Sequence, residues 1–166
     1  MKQTAVEHLK NATNQTIYAQ EQANYNLAID ALESTVDVFQ DMNAMHQKYG
    51  VHEWVKNNPE KLKQFLQFRI NFLDEELNET KAAFAANDPE EIVDGLIDLI
   101  VIAAGTLDLY GIDSKAAWEQ VYNANMSKEV GVKPTRPNPL GVPDLIKPEG
   151  WQGPSHENNH GLFKNL

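Results

Sequence analysis

Nine carboxylates lie between Asp74 and Asp98, in a stretch of chain that is otherwise strongly apolar. Only Arg69 and Lys81 supply positive charge between residues 64 and 114. A carboxylate that enters an apolar interface is costly unless it is paired, protonated or bound to a cation. Because positive partners are scarce, the sequence predicts that some of these acids bind a divalent metal ion.

Two motifs arrange these acids at helical spacing. Glu76 and Glu79 form an E-x-x-E pattern, and Glu91 and Asp94 form an E-x-x-D pattern that Asp98 follows by four residues. Residues three and four apart share one face of a helix. The short connection predicts an antiparallel helical hairpin whose acidic faces oppose each other. Such hard oxygen ligands suit Mg²⁺ or Mn²⁺ rather than zinc.

Other interpretations of the same acids stay open. Asp88-x-x-Glu91 is also a capping box, which gives Glu91 a purely structural alternative. Glu75 and Glu90 are expected to be solvated helix acids. E-x-x-E alone is common in helices, and a paired acid in a core would also account for Asp94.

Periodicity and capping signals predict an all-α antiparallel bundle with this metal-binding hairpin at its centre. Apolar residues recur at helical spacing from about Leu27 to Tyr49. Asn58-Pro59-Glu60 and Asp88-Pro89-Glu90 each have the form of a helix start, with a cap followed by proline. A fourth helix is predicted from Lys115 to about Met126. Its cap and its inward residues are expected to be Asp113 or Ser114, and Trp118, Val121 and Tyr122.

Residues 129–166 are predicted to be a long C-terminal coil with no convincing strand. Six of the eight prolines lie after Lys128, and proline cannot continue a helix. A coil that keeps apolar residues is expected to wrap the core or a partner subunit. Trp151 would either stack on a base or anchor this coil. The predicted organisation is an N-terminal arm (1–26), an all-α core (27–128) and the coil (129–166).

Composition excludes several classes of protein. A net charge of −10 on 166 residues repels DNA and RNA, so no nucleic-acid polymer is expected as a partner. The chain has no cysteine, which excludes thiolate metal sites. The apolar run Ile92–Leu109 is interrupted by Asp94, Asp98 and Asp108, so it is expected to be a bundle helix and not a membrane span. Met1–Lys10 lacks a signal-peptide pattern, and the expected location is cytoplasmic.

The hairpin segments Arg69–Glu79 and Glu91–Val101, followed by Tyr110–Asp113 and Val121–Lys128, resemble the all-α NTP pyrophosphatases. That group includes MazG-like enzymes, dimeric dUTPases and phosphoribosyl-ATP pyrophosphohydrolases. The strongest likeness is to the phage-type MazG-like and phosphoribosyl-ATP pyrophosphohydrolase-like proteins, whose tails the segment Lys147–Trp151 resembles. The likeness covers roughly residues 30–152.

The resemblance implies a Mg²⁺-dependent hydrolysis of a nucleoside triphosphate to the monophosphate and pyrophosphate, with a role in nucleotide-pool control. A phage-encoded protein would act in the host cytoplasm. Glu76, Glu79, Glu91 and Asp94 match the family's metal-binding acids, and Asp98 is expected to be a supporting ligand. Glu79 or Glu76 would orient the attacking water. Eleven residues separate Glu79 from Glu91, slightly fewer than the family's usual spacing.

Substrate contacts are expected from residues outside the acidic hairpin. The departing pyrophosphate needs positive groups, for which Lys128 is the first candidate and Lys147 a later one. Asn125 is expected to bind sugar or phosphate, and Asn43 to read a base edge. His46 is expected to be a partly exposed helix histidine.

The substrate itself is not identified by these residues. The candidates are dUTP, dCTP, dGTP, a damaged nucleotide and phosphoribosyl-ATP; a histidine-biosynthetic role is the least favoured because the tail resembles the phage-type subgroup.

The sequence also allows two competing functions and predicts an oligomer. A di-iron bundle needs Glu-x-x-His on two helices, but Glu157-x-x-His160 is the only instance and lies in the tail. A non-catalytic helical-bundle interaction protein of the same fold would carry the same acidic face. Because one hairpin cannot enclose a nucleotide, a homodimer or homotetramer with tails crossing between subunits is expected.

Overall fold

The computed structural model describes residues 4, 15–24, 36–133, 135 and 138–166. It divides into two units, residues 1–37 and 38–166. In the first unit residues 15–24 are helical. The rest of the predicted N-terminal arm, apart from residue 4, and the predicted start of the first helix at Leu27 lie outside the described residues.

The second unit is a helical bundle, which confirms the all-α prediction. Its helices are α1 (Val38–Lys48), α2 (Val51–Asn57), α3 (Leu62–Ala86), α4 (Pro89–Leu109) and α5 (Ser114–Met126). Short 3₁₀ turns cover Pro59–Lys61 and Gly161–Asn165. Two three-residue strands, β1 (Glu129–Gly131) and β2 (Asp144–Ile146), pair antiparallel with Val130 opposite Leu145.

Helices α3 and α4 form the predicted hairpin and pack along each other. The connection is only Asn87 and Asp88, because α3 runs on to Ala86 through most of the predicted linker. Asn87 adopts the left-handed conformation (φ 56°), and the Asp88 amide donates to the Ala83 carbonyl at 3.0 Å. Asparagine tolerates this conformation well, which allows so tight a reversal.

The helical segments start at the three predicted places, and two of the three starts have a side-chain cap. The Asp88 carboxylate accepts from the amides of Glu90 and Glu91, and Pro89 follows it as the first helical residue. Asp113 caps α5 by accepting from the Ala116 amide. Asn58 and Pro59 do take the predicted N-cap and first positions, in the 3₁₀ turn that leads into α3, but the Asn58 side chain donates to the Trp54 carbonyl at 2.8 Å and makes no capping bond.

The best-packed part of the core lies at the end of the hairpin away from Asn87. Tyr110 is fully buried, stacked 4.5 Å from Phe163 and donating its hydroxyl to the Leu62 carbonyl. The Leu162 amide donates to the Tyr110 carbonyl at 2.7 Å, so the C-terminal turn is part of this core. Burying large apolar side chains stabilises such an end by about 1.5–3 kcal/mol each.

Three sequence-based expectations for this unit were wrong. Helix α2 lies between the two predicted helices, where no element was expected. The β1–β2 ladder interrupts the predicted coil. The α5 residues expected to face inward are exposed by between about a third and two thirds in this chain: Trp118 61%, Val121 36% and Tyr122 51%.

Part of the C-terminal segment is bound to its own chain. The Trp151 indole donates to the Ala124 carbonyl at 2.9 Å, as expected for an anchor. Asn159 exchanges two hydrogen bonds with the backbone of Asp113. These contacts hold the segment on α5 of its own chain.

Candidate functional site

The five predicted metal ligands lie on the two helices of the hairpin. Glu76 and Glu79 are on α3, and the other three are on α4: Glu91, Asp94 and Asp98. Glu76 and Asp98 are half-buried, whereas Glu79, Glu91 and Asp94 are exposed. The expectation that these acids lie in an apolar interior is therefore wrong for the single chain. Neighbouring apolar residues of α4 are exposed as well, because α4 packs on α3 with one face only.

The charges of four of these acids interact across the hairpin. Burial raises the pKa of the Glu76 carboxyl, and the negative charge of its neighbours raises it further; in decreasing order they are Asp98, Glu79, Glu75 and Asp94. Two of those neighbours are on the opposite helix, so the acidic faces of α3 and α4 lie within range of each other's charge. Glu91 is not among them, and its backbone amide serves the Asp88 cap. Among the described residues, however, no three of these acids bring ligand oxygens within 4.8 Å of one another.

A close helix crossing explains this proximity. Gly95 of α4 lies against Thr80 of α3, where any side chain on Gly95 would overlap the Thr80 hydroxyl. That hydroxyl donates to the Glu76 carbonyl at 2.8 Å. Thr80 is next to Glu79 in sequence and Gly95 is next to Asp94, so the crossing sets the two acidic motifs side by side.

The chemistry of this group suits a hard divalent cation. Every donor is a carboxylate oxygen, the ligand type that Mg²⁺ and Mn²⁺ prefer. Within the part of the chain that the structure describes, no lysine or arginine forms an ion pair with any of the five predicted ligands. Burial is the larger cause of the raised pKa of Glu76, and repulsion by the neighbouring carboxylates adds to it; a bound cation would relieve that repulsion.

A second polar group surrounds Asp108, near the far end of α4. Its Oδ2 lies 2.7 Å from His46 Nδ1 and 2.7 Å from His52 Nε2, and its Oδ1 accepts from the Asn43 amide at 2.8 Å. Burial raises the pKa of Asp108, but the hydrogen bonds from Asn43, His46 and His52 outweigh this effect and lower it below its ordinary value. Asp108 follows Asp98 by ten residues, about 15 Å along the helix.

Sequence reasoning missed most of this second group. His46 was expected to be partly exposed, but it is only 3% exposed. His52 and Asp108 were not assigned a role, although an aspartate in so apolar a helix was a usable signal. Asn43, predicted to read a base, has both ends of its amide engaged, since it also accepts from Gln47 at 2.8 Å.

The three remaining predicted substrate ligands come together around Trp151. Lys128 donates to Asn125 at 2.7 Å, and its ammonium lies 5.4 Å from the centre of the indole ring. The Lys147 ammonium lies 4.5 Å from the centre of the same ring. The indole thus gathers two positive charges beside the C-terminus of α5, a grouping suited to an anion.

Comparison with known families agrees with the hairpin geometry. Residues 50–125 match the family described as phosphoribosyl-ATP pyrophosphohydrolase, a member of the all-α NTP pyrophosphatase (MazG-like) superfamily. The matched segment contains all five predicted metal ligands and Asn125, but not Asn43, Lys128 or Lys147. No curated protein matches the chain. Among the described helices, none has both the length and the apolar character needed to cross a membrane.

Proposed function

We propose that the chain is a Mg²⁺-dependent nucleoside triphosphate pyrophosphohydrolase. The match of residues 50–125 to the phosphoribosyl-ATP pyrophosphohydrolase family supports pyrophosphohydrolysis as the reaction class. Water attacks the α-phosphorus, the bond from that phosphorus to the bridging oxygen breaks, and pyrophosphate leaves with that oxygen. The observation that carries the proposal is the placement of the two acidic motifs on the packed helices α3 and α4, beside the close crossing of Gly95 and Thr80.

The acids of the hairpin divide the work of binding and proton transfer. Glu76, Glu79, Asp94 and Asp98 would hold Mg²⁺, and Glu91 remains a predicted fifth ligand. When bound, Mg²⁺ supplies the positive charge that a triphosphate needs in an acidic cleft and acts as a Lewis acid. Glu79 is exposed, so its carboxylate can accept a hydrogen bond from the attacking water and receive its proton. Glu76 is the alternative base.

The leaving group is assigned to the cluster around Trp151. Lys128 and Lys147 would bind the charge of pyrophosphate, with Asn125 hydrogen-bonding to sugar or phosphate. The cation–π contacts with Trp151 restrict both side chains to one place. The substrate class proposed is a nucleoside or deoxynucleoside triphosphate, and phosphoribosyl-ATP is the competing substrate that the family description supports.

A non-catalytic interaction protein of the same fold is the alternative. Its support is the exposure of Glu79, Glu91 and Asp94, which would be ordinary for solvated helix acids.

Pyrophosphate release from a panel of triphosphates and phosphoribosyl-ATP, with Mg²⁺ or Mn²⁺, tests the proposal. We expect metal-dependent formation of monophosphate and pyrophosphate in equal amounts. E79Q and D94N should each lower kcat at least about 100-fold, because each removes a charge that binds metal or orients water.

The matched control is E90Q, which removes a neighbouring exposed carboxylate that has no assigned role. It should keep wild-type activity. A folded protein that turns over no member of the panel with either metal would contradict the proposal and favour the interaction protein.

A further inference from the structure

The cluster of His46, His52 and Asp108 offers a donor set unlike that of the acidic hairpin. One potential ligand atom from each residue lies within 4.8 Å of the other two. Two imidazole nitrogens and a carboxylate suit Zn²⁺ and Co²⁺, whereas Mg²⁺ prefers oxygen ligands alone. We propose that these three residues form a binding site for one transition-metal ion of the zinc type, separate from the proposed Mg²⁺ site.

A hydrogen bond from Asn43 orients the Asp108 carboxylate as in many metal sites. Asn43 donates to Oδ1 of Asp108, which leaves Oδ2 directed at the two histidines. Ligating carboxylates are commonly held by such an outer hydrogen bond. Asn43 is in turn fixed by Gln47, one turn further along α1.

The fold makes room for His46 at this position. A Cβ on Gly105 would lie 2.9 Å from Cε1 of His46 and 3.2 Å from its Nε2, so only glycine lets the ring pack against α4. The ring is then buried, with its Nδ1 directed at Asp108. A buried imidazole in fixed orientation is pre-organised as a ligand.

The site can adjust and remain accessible from solvent. In a tetrahedral zinc site with bonds of about 2.0–2.1 Å, neighbouring ligand atoms are about 3.3 Å apart. Each 2.7 Å contact would therefore have to widen by about 0.6 Å. The His52 side chain is 31% exposed, which leaves space on its solvent side for that movement. A cavity of about 310 Å³, lined in part by Asn43 and Asp108, adjoins the cluster and could supply a water as fourth ligand.

The position of the ligands suggests what the ion would do. His46 lies on α1, His52 on α2 and Asp108 on α4, so one ion would join three helices. Binding to the folded state alone would stabilise that state, by an amount that grows with the logarithm of the free metal concentration above the dissociation constant.

Cobalt titration of the untagged, metal-stripped full chain in excess Mg²⁺ tests the site. We expect one Co²⁺ per chain, with the intense visible absorption of a four-coordinate ion, displaced by one equivalent of Zn²⁺. H52Q should weaken Co²⁺ binding by at least about 100-fold, since losing a ligand should cost no less than losing an outer-shell partner. N43A should weaken it by about 10-fold.

The controls separate this site from other histidines and from the acidic hairpin. H160Q, at an exposed histidine of the C-terminal segment, should bind Co²⁺ as the wild type does. D94N should also bind Co²⁺ normally while losing Mg²⁺-dependent pyrophosphate release, so the two proposals can fail independently. Sub-stoichiometric binding by the wild type, or equal binding by wild type and a folded H52Q, would overturn the proposal.

Discussion

Tyr110 joins the aromatic core to the start of α3 through a single hydroxyl. Its ring stacks on Phe163 and Phe65, and its hydroxyl donates to the Leu62 carbonyl at 2.5 Å. Burial raises the pKa of the phenol above its ordinary value of 10.0, although a backbone hydrogen bond at Leu66 and the charge of Arg69 lower it in part. The folded protein therefore holds this proton more tightly than the unfolded chain does.

This difference predicts a loss of stability at alkaline pH. The contribution of Tyr110 should be complete below about pH 10 and decline above it, because the unfolded chain ionises first. Y110F should cost about 1 kcal/mol at pH 7, by losing one hydrogen bond, and should lose less stability than the wild type between pH 8 and pH 10.5. Urea unfolding in EDTA at pH 8 and at pH 10.5 measures the stability lost by each protein. Equal losses in Y110F and the wild type would contradict the prediction.

Single residues also show how far sequence could locate the candidate sites. The acidic motifs were recognisable because Glu76, Glu79 and Asp94 stand at helical spacing within short stretches of chain. The His46–His52–Asp108 cluster was not, because its members come from three helices, with Asp108 at least 56 positions from either histidine. Local periodicity carries no information about which distant faces meet.

Among the elements, the hairpin was the most predictable and the connections the least. Asp88-Pro89 fixes the start of α4 through local hydrogen bonds, so its effect could be inferred from neighbouring residues alone. The β1–β2 ladder depends on a pairing between Val130 and Leu145, which lie fifteen positions apart in a proline-rich part of the sequence. Such a pairing has no local signal in strands of three residues.

The Gly95–Thr80 crossing gives a prediction at the scale of the hairpin. G95A should destabilise the fold by about 1–3 kcal/mol through overpacking, an effect larger than the helix-propensity gain of about 1 kcal/mol for alanine. By pushing α3 from α4 it should also weaken Mg²⁺ binding between the two acidic motifs.

A second substitution makes this prediction specific to the contact. In G95A/T80A the overlapping hydroxyl is gone, and the next nearest atoms, Cβ and Cα of residue 80, lie at 3.4 and 3.5 Å, which is ordinary packing distance. Stability and Mg²⁺ affinity should both recover, relative to T80A alone as the reference. Thermal unfolding and Mg²⁺ titration measure the two effects; a G95A protein as stable as the wild type would rule out the close crossing.

At the scale of the whole molecule, the second unit leaves an apolar stripe uncovered on α4. The stripe consists of Val93, Leu96, Ile97 and Ile100, each exposed by half or more. At about 100° per residue these four span roughly 100° of the helix, on the side away from Gly95 and its contact with α3. A contiguous exposed patch of this kind is typical of a subunit interface.

We therefore predict that the chain forms a homodimer or homotetramer through the α4 stripe. Light scattering at micromolar concentration should give a mass of two or four times 18.7 kDa.

I100D places a charge within the stripe, on the opposite side of α4 from Asp98. It should lower the measured mass toward that of a single chain, because burying an unpaired carboxylate is costly. V132D puts the same charge at another exposed apolar position, 78% exposed in the C-terminal segment, and should leave the assembly intact. A wild-type mass of 18.7 kDa would contradict the predicted assembly, because the chain would then be a monomer whose stripe is exposed to solvent. An oligomer whose mass is unchanged by I100D would show that the interface lies elsewhere.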